Sequence, residues 1–152
     1  MKNILFLFIA ILLFSCQKKE NNNTTSKSPT PIPEKENKQE NKQNGDTITM
    51  NYSDKEGIFT AEGRLDSLNS KVYVKFTNEE LEVLKAKIIP APEKGNIRFN
   101  QIIFPDKTSD GPFGMDLEIP LKQKGVHVLV IGHSLMADNP YYGKFEVQIK
   151  TN

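Results

Sequence analysis

The chain has 152 residues, of which 37% are hydrophobic and 26% are charged, and its 20 basic and 19 acidic residues give a formal net charge of +1. This near balance excludes the clustered surplus of basic charge on which nucleic-acid binding depends. The single cysteine excludes a disulfide framework and a zinc site built from several thiolates. The length is sufficient for one domain.

Residues 1–15 have the features of a bacterial lipoprotein signal peptide. Lys2 supplies a positive charge, and the eleven residues from Ile4 to Phe14 are all apolar. An apolar run of this length is too short to span a bilayer, which takes about 20 residues, but it suits the hydrophobic region of an export signal. We therefore predict that residues 1–15 are removed during export.

Cys16 follows the apolar run directly, and Leu13-Phe14-Ser15-Cys16 resembles a bacterial lipobox. The thiol of such a cysteine receives a diacylglycerol group whose acyl chains, such as palmitate, insert into the membrane. Each buried CH₂ of these chains contributes about 0.8 kcal/mol to membrane binding. The start Cys-Gln-Lys-Lys-Glu is similar to the mature N-termini of Bacteroidota lipoproteins. These features predict a lipoprotein anchored in the bacterial outer membrane through Cys16, facing the periplasm or the cell surface.

The segment that follows the cysteine is polar. From Gln17 to Gly45, Ile32 is the only aliphatic residue. Such a segment buries too little apolar surface to offset the entropy lost on ordering, so residues 16–45 are predicted to be the lipidated cysteine and a disordered linker. The folded domain is expected to span residues 46–152.

Alternation of apolar and polar residues dominates residues 46–152 and predicts about eight short strands. Six runs alternate with period two, and two further runs, 97–104 and 126–131, carry apolar residues on both faces and are expected in central positions. Turn-forming segments separate them, which favours an all-β fold, a small antiparallel β-sandwich or jelly roll. A helix beginning near Asn78 is the alternative for one segment, and a strand is preferred because the neighbouring segments are strands.

The residue types that can act in catalysis do not occur in a catalytic arrangement in this sequence, so we predict that the protein is not an enzyme. His127 lies within a strand pattern, where a packed histidine is expected, and the adjacent His133 and Ser134 cannot form a catalytic triad by themselves. No cofactor is expected, with calcium as the single alternative. Asp106, Thr108 and Asp110 have the one-three-five spacing of a calcium loop, although residue twelve of that loop would be a leucine.

Two loops carry candidate partner-binding residues. Tyrosine and methionine on loops are typical interface anchors, because they combine apolar area with a polar or adaptable group. The alternative is that these side chains fold back over the open end of the sandwich. The candidates are Phe113 in the first loop, and His133, Leu135, Met136, Tyr141 and Tyr142 in the second.

The region from about Ala61 to Lys150 resembles two protein families. The strand Val72-Tyr73-Val74, the segment 102–106 and the final strand 142–150 follow each other as in bacterial pre-peptidase C-terminal domains. The same region resembles periplasmic inhibitors of g-type lysozyme. The resemblance implies a sandwich fold and a non-catalytic module that binds a protein partner of the cell envelope, a lysozyme in the case of the inhibitors, through the loop between the last two strands.

A second class of function is a jelly roll that binds a carbohydrate or another polymer. In that interpretation the partner is a glycan, and exposed aromatic side chains stack on its sugar rings. Asp106 and Asp110 would alternatively hold calcium at the binding site. The stacking candidates are Tyr73, Phe113, Tyr141 and Tyr142.

Overall fold

The computed structural model describes residues 39–91, 95–134 and 136–152, and within these ranges the protein is all-β, as predicted. Residues 37–152 form one compact unit. Among the described residues, no helix has the length and apolarity needed to cross a membrane. The predicted signal peptide, the lipidation site Cys16 and most of the predicted linker lie outside the described residues.

Ten strands make up the described part of the chain. Eight of them overlap the runs that the apolar pattern predicted, although β2 ends at Thr49 and covers only the start of its run. The other two are the short strands β1 and β7. The strands are β1 (Asn41–Asn44), β2 (Thr47–Thr49), β3 (Phe59–Leu65), β4 (Val72–Asn78), β5 (Val83–Ala91), β6 (Ile97–Ile103), β7 (Ser109–Asp110), β8 (Asp116–Pro120), β9 (Gly125–His133) and β10 (Gly143–Thr151).

The strands form one curled, mixed sheet in the order β7-β6-β9-β4-β2-β1-β3-β10-β5-β8. Two pairs, β1 with β3 and β2 with β4, are parallel, and the other pairs are antiparallel. The expectation of a purely antiparallel sandwich of eight strands is therefore corrected. Strand β1 also begins five residues before the predicted domain start at Asp46. Its sequence, NKQN, has no apolar alternation from which a strand could be predicted.

The β1–β2 hairpin divides the sheet into two halves, one ending at β7 and the other at β8. The segment between β7 and β8 joins these two halves on the side opposite the hairpin. Phe113 N–H donates to the Phe99 carbonyl at 2.8 Å, and Phe99 N–H donates to the Gly114 carbonyl at 3.0 Å. On the other half, Ile88 N–H donates to the Met115 carbonyl at 2.8 Å. Because both sides are closed by hydrogen bonds, the inward faces of all the long strands share one core.

The core consists of the apolar residues that alternate along the strands, as the sequence predicted. Strand β9 lies between β6 and β4, in the central position expected from its apolar residues on both faces. Burying each of these side chains contributes about 1.5–3 kcal/mol to stability. The fully buried members include Ile48, Val72, Val74, Leu84, Phe99, Ile102, Leu129, Ile131, Phe145 and Val147.

His127 is the one buried histidine in the described residues and packs inside the core, as expected for a histidine in this strand. Its ring stacks on Phe76, with centroids 5.4 Å apart, and meets the edge of Phe104 at 6.0 Å. Nδ1 donates to the Gly125 carbonyl at 3.0 Å, which leaves the buried Nε2 without a hydrogen-bond partner among the described residues. Burial lowers the pKa of His127 below 6.5, and the bond to Gly125 opposes this shift.

The lowered pKa of His127 predicts that the domain loses stability in mild acid. The folded state holds the neutral imidazole, so its stabilising contribution is complete above pH 6.5 and decreases as the pH falls toward the folded-state pKa. We expect the free energy of unfolding to drop between pH 7 and 5, by at most about 1.4 kcal/mol per pH unit for this group. Urea titrations at several pH values measure it. His127→Leu should remove the slope and His133→Gln should retain it, and an unchanged slope in His127→Leu would contradict the assignment.

Gly63 leaves room for the ring of Phe145 on the neighbouring strand. A Cβ atom at Gly63 would lie 2.5 Å from Cζ of Phe145, whose side chain is buried. Overpacking of this kind costs about 1–3 kcal/mol, so Gly63→Ala should lower the free energy of unfolding by that amount. Gly114→Ala is the matched control, because its Cβ would meet no atom closer than 3.9 Å. Equal stabilities of the two variants in denaturant titrations would refute the close contact.

Candidate partner-binding site

The strand directions separate the loops into two ends of the sheet. The β1–β2 turn and the β3–β4, β5–β6 and β9–β10 loops lie at one end, which we call the loop end. The chain enters and leaves at the opposite end. Asn41 pairs with Ala61 near the start of β3, and Asn152 exchanges backbone hydrogen bonds with Val83 at the start of β5. The loop end is thus as far from both termini of the domain as the strands allow.

Three exposed apolar side chains lie at the loop end. Met136 is 97% exposed and Tyr142 is 61% exposed, both on the β9–β10 loop where the sequence placed candidate binding residues. Leu68, 44% exposed, lies on the neighbouring β3–β4 loop and was not a candidate. Because Gly143 pairs with Leu65, Tyr142 lies beside the start of the β3–β4 loop. His133 ends β9 and is half-buried, and Leu135 lies outside the described residues.

Hydrogen bonds join the β9–β10 loop to the β5–β6 loop. The side-chain amide of Asn96 donates to the Ser134 carbonyl at 2.9 Å, and Asn96 forms a bridge with Pro140. Ala137 N–H donates to the Ser134 carbonyl at 3.4 Å and closes a turn that contains Met136. These bonds fix the base of the loop, while its two exposed side chains stay accessible to a partner.

Tyr141 is buried, which corrects its assignment to the partner-binding surface. Only 5% of it is exposed, and its ring occupies the space beside Gly95, where a Cβ atom would lie 1.9 Å from Cδ2 of the tyrosine. Its hydroxyl accepts a hydrogen bond from Ala91 N–H at 3.1 Å and lies within hydrogen-bonding distance of the carbonyls of Ala91 and Lys144. Tyr141 therefore closes the core at the loop end, which is the alternative that the sequence left open.

Phe113 is also placed differently from the prediction. Its ring is half-buried and packs against the hydrophobic core, and its backbone belongs to the segment that joins the two halves of the sheet. The segment is hydrogen-bonded to Phe99 of β6 and Ile88 of β5 and is not a free loop. Phe113 is therefore a residue of the closed side of the domain rather than part of a surface with Met136 and Tyr142.

The residues with calcium-loop spacing form a tight turn at the end opposite the loop end. Oδ1 of Asp106 accepts hydrogen bonds from the Thr108 hydroxyl at 2.6 Å and the Thr108 amide at 2.9 Å, and Gln123 donates to Oδ2 at 2.7 Å. These bonds lower the pKa of Asp106, with the Thr108 hydroxyl contributing most. Asp110 accepts from the amide of Gly111 at 2.7 Å.

In the described part of the chain, no three His, Cys, Asp or Glu side chains are close enough to hold a metal ion together. The oxygens of Asp106 are engaged with hydrogen-bond donors, so turn formation explains the presence of Asp106 and Thr108 at these positions. Calcium binding stays a prediction.

No family model matches the sequence, and no curated protein matches it. Among solved structures, the fold is similar to PliG, a periplasmic lysozyme inhibitor of g-type lysozyme, from Aeromonas hydrophila, with a TM-score of 0.56 and 10% identity over 70% of this chain and 96% of that one. The Salmonella Typhimurium inhibitor gives a TM-score of 0.53 and 12% identity over 72% and 100%. A pre-peptidase C-terminal domain of a Bacillus anthracis collagenase gives 0.46 and 13% identity over 75% and 99%. The described domain thus has the fold of the g-type lysozyme inhibitors, as the resemblance at the sequence level implied.

Proposed function

We propose that the protein is a lipid-anchored, non-catalytic module of the bacterial cell envelope that binds a protein partner, and that this partner is a lysozyme. The observation that carries the proposal is the fold similarity, which extends over 96–100% of two periplasmic lysozyme inhibitors. The exposed apolar side chains at the loop end support it, because Tyr and Met anchors surrounded by polar residues are typical of protein interfaces.

The position of the domain termini supports a role for the loop end in an anchored protein. The described chain begins at Gln39, just before β1, at the end of the sheet opposite Met136 and Tyr142. An anchor at Cys16 would therefore hold the domain by the end opposite Met136 and Tyr142. In this arrangement the tether leaves the loop end open to a partner.

Binding and inhibition assays with purified lysozymes test the proposal. The full chain is immobilised and exposed to c-, g- and i-type lysozymes, and the lytic activity of each enzyme is measured with and without the protein. We expect one type to be captured and inhibited, and Met136→Ala combined with Tyr142→Ala to weaken capture at least tenfold. Lack of capture of every type would refute the lysozyme assignment, and unchanged binding by the double variant would remove the site from the loop end.

The anchor has a separate test. Cys16→Ser should release the exported protein from the membrane fraction, because the serine hydroxyl cannot take the place of the lipidated thiol. Retention of that variant in the membrane fraction would contradict lipidation at Cys16.

A further inference from the structure

An open polar groove of about 960 Å³ runs along the outer face of β3, on a part of the surface that the proposed function does not use. Strand β1 and the start of the β2–β3 loop form one wall, and β10 forms the other. None of the exposed apolar side chains of the loop end lines it. Its principal side chains are Gln43, Tyr52, Glu62, Arg64, Lys144 and Glu146.

The floor of the groove carries two rows of paired charges. The register between β3 and β10 places Arg64 directly opposite Lys144, and Glu62 directly opposite Glu146. Like charges in direct cross-strand pairs are destabilising, so sheet stability does not account for the arrangement. The rows are two residues apart along each strand, or about 7 Å. A row of hydrogen-bond donors therefore lies beside a row of acceptors. Nε of Arg64 also donates to Asp66, another residue of the groove lining, at 2.6 Å.

Tyr52 supplies an aromatic surface at the wall of the groove. Tyr52 is 42% exposed, and both hydrogen-bonding groups of its backbone are bound by the buried side chain of Asn41. The amide of Asn41 accepts from Tyr52 N–H at 3.0 Å and donates to the Tyr52 carbonyl at 2.7 Å. The backbone that carries the ring is thus fixed at the wall of the groove.

We propose that this groove binds a hydroxyl-rich, neutral oligosaccharide. A sugar hydroxyl both donates and accepts hydrogen bonds, so neighbouring hydroxyls can bond to the cationic row and the carboxylate row at once. The ring of Tyr52 offers an apolar face to the C–H groups of a sugar ring, while its hydroxyl stays polar. The lining carries five carboxylates and three cations, with Glu40, Lys42, Asp54 and Asp66 beside the two rows, so it favours a neutral ligand over an anionic one.

A peptide fits the groove less well, because β3 offers it no free backbone groups. Strand addition needs an unpaired sheet edge, and β3 is paired with β1 on one side and with β10 on the other. The groove floor is also charged, whereas the side-chain pockets that select peptides and protein anchors are mostly apolar. These features separate the groove in chemistry from the exposed apolar side chains of the loop end, none of which lines it.

Binding of the full chain to an array of neutral and charged oligosaccharides, followed by calorimetric titration of the strongest ligand, tests this proposal. We expect a neutral oligosaccharide to bind, Tyr52→Ala to weaken it at least tenfold, and Tyr52→Phe to keep the affinity within about threefold because the aromatic face remains. Glu62→Gln with Glu146→Gln should weaken binding at least fivefold. Tyr142→Ala is the matched control, an exposed tyrosine outside the groove, and should bind the oligosaccharide normally.

The absence of binding to every oligosaccharide at millimolar concentration would overturn the proposal, as would a bound ligand whose affinity is the same in Tyr52→Ala and in the carboxylate variant. Preference for a strongly charged oligosaccharide or for a peptide would overturn it as well. Thermal unfolding of each variant checks that the fold is retained. The lysozyme proposal fails independently, because Tyr52→Ala should bind the lysozyme partner normally and Tyr142→Ala should bind it more weakly.

Discussion

Replacement of Tyr141 by alanine is expected to lower the free energy of unfolding by about 3–5 kcal/mol, whereas the same change at the adjacent Tyr142 should leave it within about 0.5 kcal/mol. The ring of Tyr141 fills the space beside Gly95, and its removal leaves a cavity at the end of the core. The hydroxyl also holds the amide of Ala91, the last residue of β5. Tyr142 is mostly exposed and contributes little to packing.

Denaturant unfolding of both variants measures the difference between the two tyrosines. Tyr141→Phe isolates the hydroxyl, and we expect a loss of about 1–3 kcal/mol from the buried amide that it leaves without a partner. Lysozyme capture is the second measurement. Tyr142→Ala should weaken capture, while the unfolding curve of this variant stays unchanged. Comparable stability of Tyr141→Ala and Tyr142→Ala would show that Tyr141 is not a core residue.

Replacement of Asn41 by alanine is the second large effect, an expected loss of about 2–4 kcal/mol. The buried amide of Asn41 makes four hydrogen bonds, the full capacity of an asparagine side chain. It donates to the carbonyls of Tyr52 and Thr60 at 2.7 and 3.1 Å and accepts from the amides of Asn51 and Tyr52 at 2.8 and 3.0 Å. Alanine leaves all four backbone groups without their partner and detaches β1 from the β2–β3 loop.

Two further variants separate this hydrogen bonding from a general effect on β1. Asn44→Ala changes the same residue type in the same strand at an exposed position, so it should shift stability by less than about 0.5 kcal/mol. Asn41→Asp keeps the shape but places a carboxylate oxygen against two carbonyls, and it should destabilise at least as much as alanine. A chain that begins at Asp46 should lose the same interactions. Urea midpoints of the four proteins provide the comparison, and a fully stable 46–152 fragment would contradict it.

The difference between the predicted and observed strands follows from what hydrophobic periodicity can detect. Strands β3, β4 and β10 bury every second residue, so the pattern in the sequence reports their inward face. Strands β1 and β7 are polar and are held by backbone pairing, with the side chain of Asn41 as a further support of β1, and neither leaves a periodic signal. The parallel pairs are likewise invisible, because alternation gives the face of a strand but not its neighbour.

The candidate site was predicted in part. The β9–β10 loop stood out by its aromatic and methionine side chains among turn residues, whereas the exposure of Met136 and Tyr142 was one of two alternatives that the sequence left open. Tyr141 differs from Tyr142 only in the direction in which its side chain points, and that direction depends on Gly95, which is distant in sequence. Leu68 was missed, although a single leucine in the polar turn Asp66-Ser67-Leu68-Asn69-Ser70 was the available signal.

The parallel pairing of β1 with β3 has a mechanical consequence. Strand β1 enters at the end opposite the loop end. If the proposed tether at Cys16 and the proposed partner at the loop end are both held, tension between them would run along the strand axis. Hydrogen bonds between strands lie across this axis, and the force therefore shears the β1–β3 and β1–β2 bonds together instead of opening them one by one. The strand nearest the tether is thus paired in the geometry that resists pulling, and extraction of the domain from this end must break the clamp of Asn41 in the same step.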